Sequence, residues 1–195
     1  MSARLVLLGP PGAGKGTQAA RVSERLGVPA ISTGDIFRAN VAEQTELGQR
    51  AQRYMDAGEY VPDEVTNAMV RDRLGQPDAA QGFLLDGYPR TAEQVAELDD
   101  ILAASGATLD VVVAIEADTD EVVDRLLKRA REQGRSDDTE SVIRRRLEVY
   151  AEQTAPLAQT YDTRGLLVRV DGVGSPDEVT DRIMGALSRG DREQG

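Results

Sequence analysis

Nine residues constrain this chain more than any others. Gly9-Pro10-Pro11-Gly12-Ala13-Gly14-Lys15-Gly16-Thr17 follows directly on the apolar run Leu5-Val6-Leu7-Leu8 and leads into a segment of helical spacing. Glycines let a backbone curl so that successive N–H groups point inward and surround phosphate oxygens. The helix that follows adds the positive end of its dipole, and Lys15 supplies a mobile charge for the outer phosphates. A plain strand-to-helix turn needs neither four glycines nor a lysine among them. Of the 23 basic residues only Lys15 and Lys128 are lysine. A compositional bias towards Arg accounts for most of that skew, yet a lysine kept between two glycines points to a site that requires a compact ammonium.

Further apolar, β-rich runs are Phe83-Leu84-Leu85, Val111-Val112-Val113-Ala114-Ile115, Leu166-Leu167-Val168 and the shorter Pro29-Ala30-Ile31. Helical spacing lies between them, as in Val122, Val123, Leu126, Leu127 and Ala130. Strands apolar on both faces that alternate with amphipathic helices predict a buried parallel sheet with helices on both sides. Capping boxes mark helix starts at Thr91-x-x-Gln94 and Ser175-Pro176-Asp177-Glu178, with a weaker mark at Asp137-x-x-Glu140. Residues 33–75 break the alternation. They carry only helical patterns, interrupted at Gly48, Gly58 and Pro62, and predict a helical excursion hung on the sheet. The polar, Gly-ended tail 189–195 is expected to fray.

Composition removes whole classes of chemistry. The chain has 195 residues and no Cys, His or Trp. There is no thiolate nucleophile, no imidazole base, no Ser-His-Asp triad and no Cys- or His-ligated metal. Catalysis must run on Arg, Lys, carboxylates, backbone amides and a bound hard cation. A net charge of −11 and a pI near 4.6 argue against nucleic acid as a partner. No apolar run approaches the roughly 18 residues of a membrane span, and the four-residue run near the N-terminus is too short for a signal-peptide core. These features predict a cytoplasmic protein that does not engage membranes.

The second chemical motif is Phe83-Leu84-Leu85-Asp86-Gly87-Tyr88-Pro89-Arg90. A buried strand ending in Asp delivers a carboxylate to the C-terminal edge of a parallel sheet, beside the phosphate loop, where a Mg²⁺-organising acid belongs. Taken alone, Asp86 has a weaker alternative as a turn residue before Gly87.

Together, Gly-x-Pro-Gly-x-Gly-Lys-Gly-Thr, Ser32-Thr33-Gly34-Asp35-Ile36-Phe37-Arg38 and Asp86-Gly87-Tyr88-Pro89-Arg90-Thr91 resemble adenylate kinase, a nucleoside monophosphate kinase family, over residues 4–188. The resemblance implies an α/β fold: a P-loop NTPase-type parallel sheet flanked by helices on both faces, with a helical AMP-binding insertion and a short lid loop. It divides one domain, 1–195, into a core (1–32, 62–129 and 136–188), a monophosphate-binding subdomain (33–61), a lid (130–135) and the tail (189–195). ATP contacts are implied for Gly12, Ala13, Gly14, Lys15, Gly16, Thr17, Arg125, Arg129 and Gly174. AMP contacts are implied for Thr33, Gly34, Arg38, Tyr60, Val61, Gly87, Arg90, Gln94, Arg135 and Arg146. Gln94 is at the same time the distal half of its own capping box, and Thr33 could be a helix cap. Asp86 would hold Mg²⁺ through water. The general phosphate-loop motif has Ser/Thr directly after the lysine, whereas Gly16 stands there in this chain. The Thr17 hydroxyl is left for the phosphates or the hydrated metal.

On composition, the Arg-rich stretch 125–146 reads as a solvated basic face. The resemblance reverses that, making Lys15, Arg90, Arg125, Arg129, Arg135 and Arg146 the catalytic cations around the transferring phosphoryl. Asp137 and Asp138 would orient them, while Arg131, Arg144 and Arg145 stay on the surface. Five residues between Arg129 and Arg135 leave no room for a zinc-binding lid, and zinc has no Cys or His to bind in any case.

The implied reaction is ATP + AMP = 2 ADP, with Mg²⁺ as cofactor, in a monomer whose partners are ATP, AMP and ADP. One rival is a pyrimidine (UMP/CMP) monophosphate kinase, which tends to carry Ala at position 33 and Asn at position 91; Thr33 and Thr91 favour adenine. Another is a nucleotide-switched regulatory module. A GTPase of that kind needs an Asn-Lys-x-Asp guanine reader, and neither lysine follows an Asn. If the basic residues are scattered in space, the reading fails.

Overall fold

In a computed structural model the described residues are 3–133 and 139–193. Five strands, β1 (Ala3–Leu8), β2 (Ala30–Ser32), β3 (Gly82–Asp86), β4 (Val111–Glu116) and β5 (Leu167–Asp171), pair in the order β2-β3-β1-β4-β5, every pair parallel. The helices are α1 (Lys15–Leu26), α2 (Thr33–Ala42), α3 (Glu46–Ala57), α4 (Asp63–Leu74), α5 (Ala92–Ala104), α6 (Thr119–Gln133), α7 (Glu140–Val149), α8 (Leu157–Thr163) and α9 (Pro176–Glu193).

The side-chain alternation of β1 shows why its apolar run is continuous. Leu5 and Leu7 face Val22 of α1 and Ile183 of α9, whereas Val6 and Leu8 belong to the cluster of Leu98 from α5, Val70 from α4 and Tyr161 from α8. Both faces are covered, so both must be apolar. The excursion has a small core of its own, built on Phe37, Ala51 and Val61. Helices α6 and α7 meet through Val122, Leu126 and Ile143.

Four local expectations are corrected. Gly48 does not interrupt a helix; it lies inside α3, two residues after its start. Helix α6 continues to Gln133, so 130–133 of the expected lid loop 130–135 are helical, in keeping with the helix propensity of Arg, Glu and Gln. Helix α9 likewise continues through 189–193 of the expected frayed tail. Helix α7 takes Thr139 as its N-cap, two positions after the expected mark at Asp137, which lies outside the described residues. The Ser175–Glu178 capping box forms in full: Glu178 N–H donates to Ser175 Oγ (3.3 Å) and Ser175 N–H to Glu178 Oε2 (2.8 Å).

Candidate active site

The phosphate loop leaves β1 at the centre of the sheet, between β3 and β4. Ala13 N–H closes its turn onto the Pro10 carbonyl (3.1 Å). Gly12 adopts φ +86°, and a Cβ there would stand 2.9 Å from Leu126 Cγ and 3.0 Å from the Val122 carbonyl. Only glycine lets the loop press this closely under α6. Lys15, half-buried, donates from Nζ to the carbonyls of Gly9 (2.7 Å) and Pro10 (2.9 Å). Burial of that ammonium lowers its pKa to about 8; Asp86 opposes the shift, while Arg90, Arg146 and Arg129 add to it.

Strand β3 ends at Asp86, which is 9% exposed and in register with Leu7 of β1 and Ser32 of β2. After it, the Gly87 carbonyl gathers two site residues: Thr33 Oγ1 donates to it (2.9 Å) and so does Arg90 Nε (2.7 Å). Thr33 is the first residue of α2; the helix cap is Ser32, whose Oγ accepts from Asp35 N–H. The Arg90 guanidinium stacks 5.0 Å over the Tyr60 ring. Tyr60 Oη shares a hydrogen bond with Thr154 Oγ1 (2.7 Å), which donates in turn to the Arg90 carbonyl (2.8 Å).

These elements enclose one open cleft of about 1300 Å³. Lys15, Arg38, Arg90, Arg125, Arg129 and Arg146 all line it, with Gly12, Gly14, Gly16, Thr17, Gly34, Asp86 and Gly87. A side cavity of about 580 Å³ opens from it under the excursion. Its walls include Thr33, Phe37, Met55, Tyr60, Val61, Thr66 and Gln94, and it shares Gly34, Arg38, Gly87, Arg90 and Arg146 with the cleft. Six of the seven expected basic residues are therefore brought together in a molecule of net charge −11.

Two expected residues stand apart from the cleft lining, and three are not described. Arg135 lies outside the described residues, as do Asp137 and Asp138. Ala13 is buried behind the loop, and Gly174 is not among the residues lining the cleft. Gly174 belongs to the turn after β5, whose Gly172 carbonyl accepts from Arg125 Nη2 (3.4 Å). Arg144 pairs with Glu140, but Arg145 is not simply a surface residue. Its Nε donates to Glu59 Oε1 (2.7 Å) across 86 positions, tying α7 to the edge of the excursion.

Sequence reasoning passed over Asp63, Thr154 and the apolar wall of Phe37 and Met55. Asp63 had a weak signal, since it lies two positions after Val61, an expected AMP contact. Thr154 had none: it ends a short π-helix, Tyr150–Thr154, whose i→i+5 winding departs from the α-helical period.

Known proteins share this sequence at length. The adenylate kinase family model matches residues 7–166. A protein named adenylate kinase from Kocuria rhizophila is 69% identical over 186 residues, which cover 95% of this chain and 99% of that protein. Proteins of the same name from a Nocardioides species and from Thermobifida fusca are 63% and 59% identical, each over 94% of this chain and 96% and 97% of their own lengths.

Proposed function

The chain belongs to the adenylate kinase family and is a kinase that transfers a phosphoryl group from ATP to AMP, and on that premise we propose how its own residues divide the work. Gly12, Ala13, Gly14, Lys15, Gly16 and Thr17 cradle the ATP phosphates, with Arg125 and Gly174 at the ATP end and Arg129 beside the transferring phosphoryl. AMP occupies the side cavity: Arg38 and Arg90 take its phosphate, Thr33, Gly34, Tyr60, Val61 and Gly87 enclose it, and Gln94 faces the base. Arg135 and Arg146 bridge the two nucleotides. The nucleophile is an AMP phosphate oxygen, already ionised at neutral pH, so no protein base is required. Positioning and the stabilisation of charge on the moving phosphoryl are sufficient. This agrees with a chain that has no histidine.

A hard cation fits the residues present. Asp86 lines the same cleft as Thr17 and Lys15, and Mg²⁺ favours oxygen ligands while retaining several waters. Asp86 would hold it through water. When bound, Mg²⁺ neutralises charge on the β- and γ-phosphates. We place the enzyme in the cytoplasm as a monomer without membrane or nucleic-acid partners. Its acidic charge supports this, and no helix among the described residues is long and apolar enough to cross a membrane.

The observation that carries this reading is the convergence of Lys15 and five arginines on one cleft that also holds Asp86. An acceptor panel of AMP, UMP, CMP, GMP and dAMP with MgATP, run beside Lys15→Ala, tests it. AMP should be the preferred acceptor, and Lys15→Ala should lose about 10²–10³ in kcat, the scale for losing one donor at a developing oxyanion. Preference for CMP would overturn the acceptor assignment, and full activity in Lys15→Ala would overturn the mechanism.

A further inference from the structure

The Gln94 side chain is 2% exposed, and its amide is held at both ends. Its Oε1 accepts from the Arg90 backbone N–H (2.7 Å), and its Nε2 donates to Asp63 Oδ1 (2.6 Å). The first partner can only donate and the second can only accept, so a single orientation of the amide satisfies both. Asp63 is itself fixed, because Thr91 Oγ1 donates to its other oxygen, Oδ2 (2.8 Å). The same Thr91 oxygen accepts the Gln94 backbone N–H (3.2 Å), so the contacts close into a ring. What remains unused on the Gln94 amide is one Oε1 lone pair and one Nε2 hydrogen, side by side on a residue that lines the cavity.

We propose that Asp63, the first residue of α4, is a specificity-determining positioning residue that locks the polarity of the Gln94 amide and so selects 6-amino over 6-oxo purine monophosphates. The proposal rests on the reading that Gln94 faces the base. An acceptor beside a donor complements adenine, which offers N6–H and the N1 lone pair. The 6-oxo purine presents the reverse, an acceptor at O6 and a donor at N1. It meets the locked amide oxygen to oxygen and hydrogen to hydrogen. With Asp63 removed, only the Arg90 N–H still opposes the turned-over amide that would accept it. Asp63 thus acts through Gln94 and does not touch the nucleotide.

The test compares AMP with IMP, its 6-oxo counterpart, as acceptors for the intact enzyme and for Asp63→Ala, Asp63→Asn and Gln94→Ala, measuring kcat and KM for each. Asn keeps one oxygen for Gln94 Nε2 and turns its amide to Thr91 Oγ1, which can accept. Asp63→Ala should raise KM for AMP about tenfold, the scale of one lost hydrogen bond to a charged group, and lower the AMP:IMP ratio of kcat/KM by at least as much. KM for ATP should hold, and Asp63→Asn should restore most of the ratio. If Gln94→Ala loses the ratio while Asp63→Ala keeps it, or if Asp63→Ala lowers kcat for both acceptors with the ratio unchanged, Asp63 does not set polarity. If Gln94→Ala keeps the AMP:IMP ratio, the underlying reading of Gln94 is what fails.

Discussion

Lys15 shares its end of the cleft with the guanidiniums of Arg90, Arg146 and Arg129, and burial together with those charges brings its pKa from 10.5 to about 8. Between those two values the unfolded chain binds a proton that the folded chain has released. Folding stability from this group therefore rises as pH climbs from 8 towards 10.5, and below pH 8 the charged ammonium counts against the fold. Nucleotide phosphates reverse the balance, because anions beside Nζ favour its charged form and raise its pKa again. ATP affinity is accordingly full below the free-enzyme pKa and falls as pH rises through it. Calorimetric titration with ATP at about pH 8.5, in buffers of different ionisation enthalpy, should show uptake of a fraction of a proton by the intact enzyme and none by Lys15→Met. Heats that do not depend on the buffer would refute the linkage.

Among the elements, the pairing of α2 with α3 rests on a contact between backbones. A Cβ on Gly48 would stand 2.1 Å from the Asn40 carbonyl oxygen and 2.6 Å from Val41 N, so α3 crosses the last turn of α2 with no room for a side chain. In an exposed helix, Gly→Ala gains about 1 kcal/mol. Here the colliding atoms are main chain and no rotamer relieves them, so Gly48→Ala should instead cost about 1–3 kcal/mol, as overpacking does. Urea denaturation and loss of hydrogen-exchange protection in α2 and α3 measure this, and an unchanged denaturation midpoint would refute it. The same residue shows how far the sequence was legible. Strands buried on both faces announce themselves in Val, Ile and Leu, and caps such as Ser175 and Thr91 announce helix starts, because those signals are local. Gly48 reads as a helix break because the reason for it, the carbonyl of Asn40, lies on another helix. Arg145 with Glu59 and Asp63 with Gln94 are hidden for the same reason, their partners being 86 and 31 positions away. The phosphate loop was legible because its residues are contiguous in the sequence.

Across the whole molecule, the excursion and the arginine cluster meet at α7. Gly58 ends α3 with φ +73°, and a Cβ there would lie 2.9 Å from the Val142 carbonyl, 3.2 Å from Arg145 Cβ and 3.3 Å from Arg146 Cγ. Arg146 lines both the cleft and the side cavity, so whatever moves Gly58 off α7 changes how the excursion closes on a residue shared by the two. Beside this contact, the Glu59–Arg145 ion pair is about 40% exposed on both sides and contributes little, less at high salt. Close packing, and not charge, should therefore hold the excursion to α7. Gly165 supplies the control: its φ of +70° matches that of Gly58, but a Cβ there meets nothing within 4 Å. Gly165→Ala should cost the left-handed backbone penalty of about 1–2 kcal/mol in stability and leave KM for AMP unchanged. Gly58→Ala should carry that cost and also raise KM for AMP about tenfold, equivalent to about 1.4 kcal/mol of lost closure, with KM for ATP little altered. Glu59→Gln should shift KM for AMP by no more than a few fold. If Gly58→Ala and Gly165→Ala prove alike in KM for AMP, or if Glu59→Gln proves the more damaging, the packed contact with α7 is not what holds the excursion over its nucleotide.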